Sequence, residues 1–415
     1  MSKGNVLNNI KSSIHFESSK AARALLWKRM GSFSGLGTLS ALKTEARNEL
    51  GQLMDSLDTL KLCEAFNKEE AKVSSAVACS LPVIASLIDD LVPRLSAGGR
   101  LIYVGAGNSG RVGFMDSSEM PATFSTDEKQ FLTVVAGGDE AILRAKEGAE
   151  DSEADGSAKL EMFQITSKDT VIGISASGRT PFVIGAMKTA HKFDAITAVI
   201  TNTSPSSLEK LGVKYCIPVI VGPEFIAGST RLKSGSAAKQ ILNMISTCAM
   251  VRMGKTYMGL MIDVRVKNQK LLARGRRIIR EVCETLNGFD LHAMNGDKIG
   301  GFALDDESLN VMIERCGGHV KQACAAFISH LPPDCAQQHL DRANGDFRLF
   351  VQDFSRYRDS NLNNGLTQNT EEFFMSIDGG GNKMCGINLR RILSAGEGPS
   401  WSLQFPKYGH RTVDV

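Results

Sequence analysis

Two glutamates and three hydroxyl-rich turns are the places where this sequence could do chemistry. Glu119 sits in Asp116-Ser117-Ser118-Glu119-Met120-Pro121, and Glu150 in Glu147-Gly148-Ala149-Glu150-Asp151. Taken singly, each acid is an ordinary surface charge. Two carboxyls close to a bound anion are different: their pKa values are pushed apart or upward, giving a base and an acid near neutral pH. An anion site is offered by Gly105-Ala106-Gly107-Asn108-Ser109-Gly110-Arg111. Its backbone N–H groups and the Ser109 hydroxyl, at a helix start, suit a small phosphate. The same stretch fits the GxGxxG of dinucleotide sites, but those also need an acid about 20 residues on, at the end of the second strand. Here Asp127 and Glu128 precede that strand and Gly137-Gly138 follow it. A tight glycine turn without a ligand is the third way to read it.

The stretch Ser175-Ala176-Ser177-Gly178-Arg179-Thr180-Pro181 is more specific. Pro181 suits a first helical turn. Helix capping needs one of the three hydroxyls, not three with an arginine. No Walker lysine is present, so a nucleoside triphosphate is not the natural ligand. A third element, Gly228-Ser229-Thr230-Arg231-Leu232-Lys233-Ser234-Gly235-Ser236, opens a long apolar-periodic helix through Met253. There the hydroxyls read as caps and Lys233 as a solvated charge.

These turns need a scaffold that brings them together. Five short β-branched runs supply strands: Arg100–Val104, Phe131–Val135, Thr170–Ile174, Ile196–Thr201 and Val213–Ile217. Segments of helical length lie between them, among them Asp139–Glu150, which would end on Glu150, and Thr180–Lys192. Strands alternating with helices predict an α/β fold with a doubly wound parallel sheet, whose ligands bind beyond the carboxyl ends of the strands. Two hydroxyl-rich loops at adjacent strand ends would then cradle one phosphate. The chain divides into six regions: an extension (1–40), a helical lead-in (41–90), the α/β domain (91–254), a helical connection (255–304), a small helical domain (305–354) and an irregular tail (355–415).

Composition narrows the partners. The net charge is +3 with no basic block, which argues against nucleic acid as the main partner. No apolar stretch approaches the roughly 20 residues of a membrane span. Nine cysteines are scattered singly with no CxxC pair, so a metal site is not expected. They read as reduced thiols in a reducing compartment, and a cytoplasmic location is expected. Residues 1–40 are basic, Ser-rich and poor in acids, which mitochondrial transit peptides share with solvated tails; the tail is the preferred reading.

Residues 98–265 resemble the sugar isomerase (SIS) domain of the N-acetylmuramic acid 6-phosphate etherases. The likeness rests on GRLIYVGAGNSGRVGFMDSSEMPATF, AGGDEAILRAKEGAEDSEADG, VIGISASGRTPFVIGA, GPEFIAGSTRLKSGSAAKQILNMIS and GKTYMGLMIDVRVKNQKL. The lead-in Thr44-Glu45-Ala46-Arg47-Asn48 and Leu57-Asp58-Thr59-Leu60 and the later Cys316-Gly317-Gly318-His319-Val320-Lys321 and Leu340-Asp341 extend it over residues 44–354. The resemblance implies a flavodoxin-like SIS fold. It also implies cleavage of the lactyl ether of N-acetylmuramic acid 6-phosphate to N-acetylglucosamine 6-phosphate and D-lactate. In that chemistry the open-chain aldehyde acidifies the C2 proton, a carboxylate removes it, lactate leaves from C3 and water adds back. The family's acid falls on Glu119 and its second catalytic glutamate on Glu150. Contacts to the sugar phosphate fall on Gly107, Asn108, Ser109, Ser175, Ser177 and Thr180, with Arg179 as a further contact. Elimination needs a base and an acid, and no cofactor is implied. The family's usual threonine is Asn108 here, and its usual Cys-Pro-Pro is Met120-Pro121-Ala122. Both carboxylates remain, so the departures read as tuning.

The animal glucokinase regulatory proteins share this ancestry. They bind fructose phosphates and regulate a kinase without catalysis, in a longer chain with a second SIS domain. A non-catalytic sensor and a sugar-phosphate isomerase are therefore the alternatives to an etherase, and the retained SASGRTP and glutamate pair favour the enzyme. SIS domains usually pair and share sites, so a homodimer is expected. Residues 305–354 resemble a ubiquitin-associated (UBA-like) helical bundle, in which a role in closing the site is expected. In the tail, Phe373–Lys383 and Ala395–Ser400 resemble phosphate-motif segments of N-acetylglucosamine-type sugar kinases. Fewer than forty residues follow Asp378, so a truncated fusion without kinase activity is expected.

Overall fold

The computed structural model describes residues 43–287, 298–299, 302–329 and 331–354. The extension 1–40 and the kinase-like tail lie outside the described residues.

After three short 3₁₀ turns, helices α1 (Thr59–Glu70), α2 (Lys72–Ala78) and α3 (Leu81–Ser96) lead to the sheet. The Asp58 carboxylate accepts the Lys61 N–H and caps α1. Helix α3 sets Ile84, Leu87, Ile88, Leu91 and Leu95 at helical spacing on one buried face. Each such side chain contributes about 1.5–3 kcal/mol when fully buried. Among the described residues no single helix is long and apolar enough to cross a membrane.

Strands β1 (Leu101–Gly105), β2 (Phe131–Val135), β3 (Thr170–Ile174), β4 (Ile196–Thr201) and β5 (Tyr215–Pro218) form one sheet in the order β2-β1-β3-β4-β5. Every pairing is parallel, so the doubly wound sheet expected from the strand–helix alternation is present. The central strands are buried on both faces, as β-branched runs covered by helices on each side must be. Alternate residues serve opposite faces: Leu101, Tyr103, Ile172 and Ile174 join one core, Ile102, Val104 and Val171 the other. The Arg100 guanidinium grips Asp169 (2.7 Å) where β1 and β3 begin, fixing the level at which the two strands pair.

Helices α4 (Gly107–Phe124), α5 (Glu140–Leu143), α6 (Glu153–Glu161), α7 (Pro181–Lys192) and α8 (Lys233–Arg252) cover the sheet. Helices α6 and α7 touch backbone to backbone: a Cβ at Gly156 would strike the Phe182 carbonyl, and one at Gly185 the Glu153 carbonyl. One expectation fails here. Asp139–Glu150 is not a single helix, because α5 ends after one turn at Leu143 and turns continue to Asp151. Gly148, at φ +72°, stands in a conformation that a right-handed helix does not contain.

Beyond the sheet, α9 (Gln269–Asn287), α10 (Asp306–Arg315), α11 (Val320–Ser329) and α12 (Pro333–Arg342) are followed by helical residues 347–354. They share a core of their own, drawn from residues between Tyr257 and Val351. Among the described residues seven cysteines are free, three of them buried in this part of the chain. Cys335 is disulfide-bonded, which departs from the reading of uniformly reduced thiols.

Candidate functional site

Strands β1 and β3 are neighbours, yet the chain leaves them for helices that start different layers. That is the switch point at which doubly wound sheets open a crevice. The two loops singled out in the sequence both end there. After β1 the chain turns at Gly107 (φ +52°) directly into α4, so the first-turn N–H groups of α4 lie at the strand end. Ser109 and Asn108 are half-buried there. Gly235, in the first turn of α8, leaves room for Asn108: a Cβ on it would stand 2.7 Å from Asn108 Nδ2. The start of α8 therefore forms a third side of the crevice.

After β3 the Ser175 hydroxyl is buried and lies 2.8 Å from the Thr180 hydroxyl. It also accepts the Gly178 N–H at 3.1 Å. Thr180 stands at the helix N-cap position without a side-chain capping bond. The hydroxyls thus shape the loop rather than cap α7. Gly178 has φ +64°, and a Cβ on it would collide with Ser206. The loop's outer face is tied down by Asn202 N–H to the Ala176 carbonyl and Leu208 N–H to the Gly178 carbonyl, each 3.0 Å. Ser177 and Arg179 are half-buried on the same loop.

Glu150 comes to this loop by its backbone. Its carbonyl accepts the N–H of Phe182, in the first turn of α7, at 3.0 Å. Its side chain is exposed at the surface beside that loop. Burial against the surrounding protein, then the charges of Asp151 and Glu147, raise its pKa above the ordinary glutamate value. Glu119 lies elsewhere. It is exposed on α4, twelve residues beyond Gly107 and therefore about 18 Å along the helix axis at 1.5 Å per residue. One chain brings Glu150, and not Glu119, to its own strand-end loops.

The surroundings of Glu119 hold residues to which the sequence reading gave no role. A cavity of about 570 Å³ runs beside α4, with Ser118 and Pro121 on one wall and Arg265, Lys267 and Asn268 on another. The signal available in the sequence was Arg265-Val266-Lys267-Asn268, where alternate positions of an extended segment carry cations toward one side. Exposed Phe114 and Met115 share this stretch of α4. From inside, α4 is fixed by Asp116, which accepts from Tyr103 (2.9 Å) and Lys239 (2.8 Å). Burial first, then the Asp116 charge, pushes the Tyr103 pKa well up.

Lys233 corrects the reading of a solvated charge. Its side chain is 1% exposed and its ammonium lies 2.8 Å from Glu69. The buried Glu224 carboxylate accepts the N–H groups of Lys233 (2.9 Å) and Ser234 (3.0 Å), capping α8 with a negative charge. A charge so placed is structural, and it sets the start of α8 against Asn108. Among the described residues no cluster of three or more His, Cys, Asp or Glu could hold a metal ion.

Known proteins share this arrangement in sequence. The profile of the glucokinase regulatory protein N-terminal SIS domain matches residues 83–191, and that of the SIS domain residues 144–244. An N-acetylmuramic acid 6-phosphate etherase of Halalkalibacterium halodurans is 39% identical over 317 residues, covering 76% of this chain and 100% of the relative. Those of Klebsiella aerogenes and Clostridium beijerinckii are 40% and 42% identical, covering 97% and 96% of their own lengths. A putative sugar-phosphate isomerase from Listeria monocytogenes superposes on 48% of this chain and 94% of its own, with TM-score 0.36 and 14% identity. With etherases aligned over nearly their whole length, and both glycine- and hydroxyl-bearing loops standing at the switch point of the sheet, the chain belongs to the N-acetylmuramic acid 6-phosphate etherase family.

Proposed function

We propose that the protein is a carbon–oxygen lyase that cleaves the lactyl ether of N-acetylmuramic acid 6-phosphate. The observation that supports this best is the meeting of the Gly107–Ser109 and Ser175–Thr180 loops at one crevice with Glu150 tied to its edge by Phe182. In this reading the phosphate rests on the first turns of α4 and α7, with the hydroxyls of Ser109, Ser175, Ser177 and Thr180 and the side chains of Asn108 and Arg179 around it. Glu150 is the base. A carboxyl whose pKa is raised holds a proton more readily near neutral pH, which suits removal of the C2 proton of the open-chain sugar. The electron pair left at C2 expels the lactyl oxygen from C3, and Glu119 gives that oxygen its proton. Water then adds at C3 and a proton returns to C2. The products are N-acetylglucosamine 6-phosphate and D-lactate.

A cytoplasmic homodimer is the assembly that goes with this reading. The separation of Glu119 from the loops of its own chain leaves a place for an acid from a second copy. The exposed Phe114 and Met115 beside it give that copy an apolar surface to cover. The test is D-lactate release from N-acetylmuramic acid 6-phosphate in oxygen-18 water. Lactate with label at C3 of the sugar supports elimination and hydration. Ligand binding without lactate turns the assignment to a sensor, and a ketose product turns it to an isomerase. In the same assay Glu119→Ala is expected to abolish lactate release while sugar-phosphate binding survives.

A further inference from the structure

Arg111 is half-buried in the first turns of α4, beyond the loop that forms one side of the crevice. Its guanidinium leaves the crevice and reaches α5, donating from Nε to the Ile142 carbonyl (3.1 Å) and from an Nη to the Ala141 carbonyl (2.9 Å). Helix α5 is a single turn, Glu140–Leu143, too short to hold itself together. The carbonyls that Arg111 takes are among those left without partners at a helix end. Beyond α5 the chain folds back over it: the place of a Cβ on Gly137 is ringed by the side chains of Ala141 (3.1 Å), Lys146 (3.1 Å) and Ala149 (3.2 Å). Ala149 immediately precedes Glu150. The 137–150 loop is therefore pinned at two points, to α4 through Arg111 and to α7 through the Phe182 N–H. Between those points Leu143 and most of its successors are exposed, so the packing around Gly137 carries the rest.

We infer that Arg111 is a positioning residue, whose two-pronged bond to α5 holds the 137–150 loop so that Glu150 stands at the crevice. The inference rests on the assignment of Glu150 as the base. Arginine suits the geometry because its planar fork fixes two donors at the spacing of successive carbonyls, whereas an ammonium is a point charge on a flexible stem that does not hold that fork. Without the fork α5 unwinds, the Ala149 contact loosens, and Glu150 keeps only its backbone bond to Phe182. The phosphate loops do not depend on this bond, so binding and turnover separate.

The experiment compares Arg111→Met, Arg111→Lys and Glu150→Gln in the full chain. The assays are lactate release from N-acetylmuramic acid 6-phosphate and calorimetric binding of N-acetylglucosamine 6-phosphate. For Arg111→Met, kcat is expected to fall ~10- to 100-fold, the scale of a catalytic group misplaced by about an ångström. KM and product affinity hold. Arg111→Lys recovers part of kcat. The acid limb of the rate profile in Arg111→Met moves to lower pH, because a released Glu150 loses the burial that raises its pKa along with the pressure of Asp151 and Glu147. Parental kcat and acid limb in Arg111→Met, with Glu150→Gln inactive, overturn the positioning role. Full turnover by Glu150→Gln overturns the assignment of the base instead. If Arg111→Met does not fold, Arg111→Lys decides alone, and parental kcat with a parental acid limb in it overturns the proposal.

Discussion

Removing the carboxylate that neutralises Lys233 is expected to cost the fold more than removing Lys233 itself. In Glu69→Gln the ammonium, 1% exposed, loses the negative charge that lay 2.8 Å away and keeps at most a neutral amide oxygen. The nearby Glu224 carboxylate is already engaged by the N–H groups of Lys233 and Ser234 and the Ser234 hydroxyl. An unpaired buried charge of this kind costs about 3–5 kcal/mol, a large part of the roughly 5–15 kcal/mol of a typical domain. In Lys233→Met the survivor is Glu69, which keeps Lys72 at 2.6 Å, so the loss falls at or below the lower end of that range. Burial alone would raise the Glu69 pKa, but hydrogen bonds from Lys233 and Lys72 outweigh it and bring the carboxyl from 4.5 down to about 2. Its folded value is thus depressed. The stability it gives is complete above the unfolded pKa and is lost as pH falls from there toward about 2. The assay is urea unfolding of the parent, both single variants and the double variant, at pH 7 and pH 3. At pH 7 Glu69→Gln should be the least stable of the singles, and the double variant should lose less than their sum. At pH 3 the gap between parent and Glu69→Gln should narrow. Two results refute this account: a Glu69→Gln loss below about 1 kcal/mol, far under the cost of an unpaired buried charge, or strict additivity.

Two further outcomes test the crevice. Gly178→Ala places a Cβ at φ +64° against Ser206, a strain of about 1–3 kcal/mol; affinity for N-acetylglucosamine 6-phosphate by calorimetry should fall roughly tenfold while the melting temperature shifts by only a few degrees, and unchanged affinity would remove the 175–180 loop from the phosphate site. Asp151→Asn removes one of the charges that raise the Glu150 pKa, leaving burial as the larger cause; the acid limb of kcat should move to lower pH without vanishing, and a limb that stays put shows that another group titrates there.

The sheet was legible because its strands are short β-branched runs of four to six residues bounded by turns, and Phe131–Val135, Thr170–Ile174 and Ile196–Thr201 have the bounds read from sequence. The last strand starts at Tyr215 rather than Val213, at an edge where only one neighbour holds the backbone. The two loops at the crevice were legible for a different reason: hydroxyls and glycines that close right after a strand have few other uses. The fate of Asp139–Glu150 was not, since Glu, Ala, Leu, Arg and Lys favour helix locally and the turn comes from Gly148 and from packing over Gly137. Lys233 was misread because burial of a charge is decided by its partner, and Glu69 lies 164 positions earlier in the chain. The distance of Glu119 from its own crevice was beyond the sequence as well, because a motif names a helix face and not where that face ends up.

The separate core that begins at Tyr257 has a meaning for how this protein comes apart. The two cores of the sheet share its strands, so neither can open while the other stays closed. The core that runs from Tyr257 to Val351 takes no residue from any of the five strands. In hydrogen exchange the chain should therefore show two cooperative units. Amides of α9 to α12 would lose protection together, at a free energy of their own, while the parallel strands still hold their deuterium out. Softening Leu309 or Phe327 would lower the first threshold and leave the second where it was.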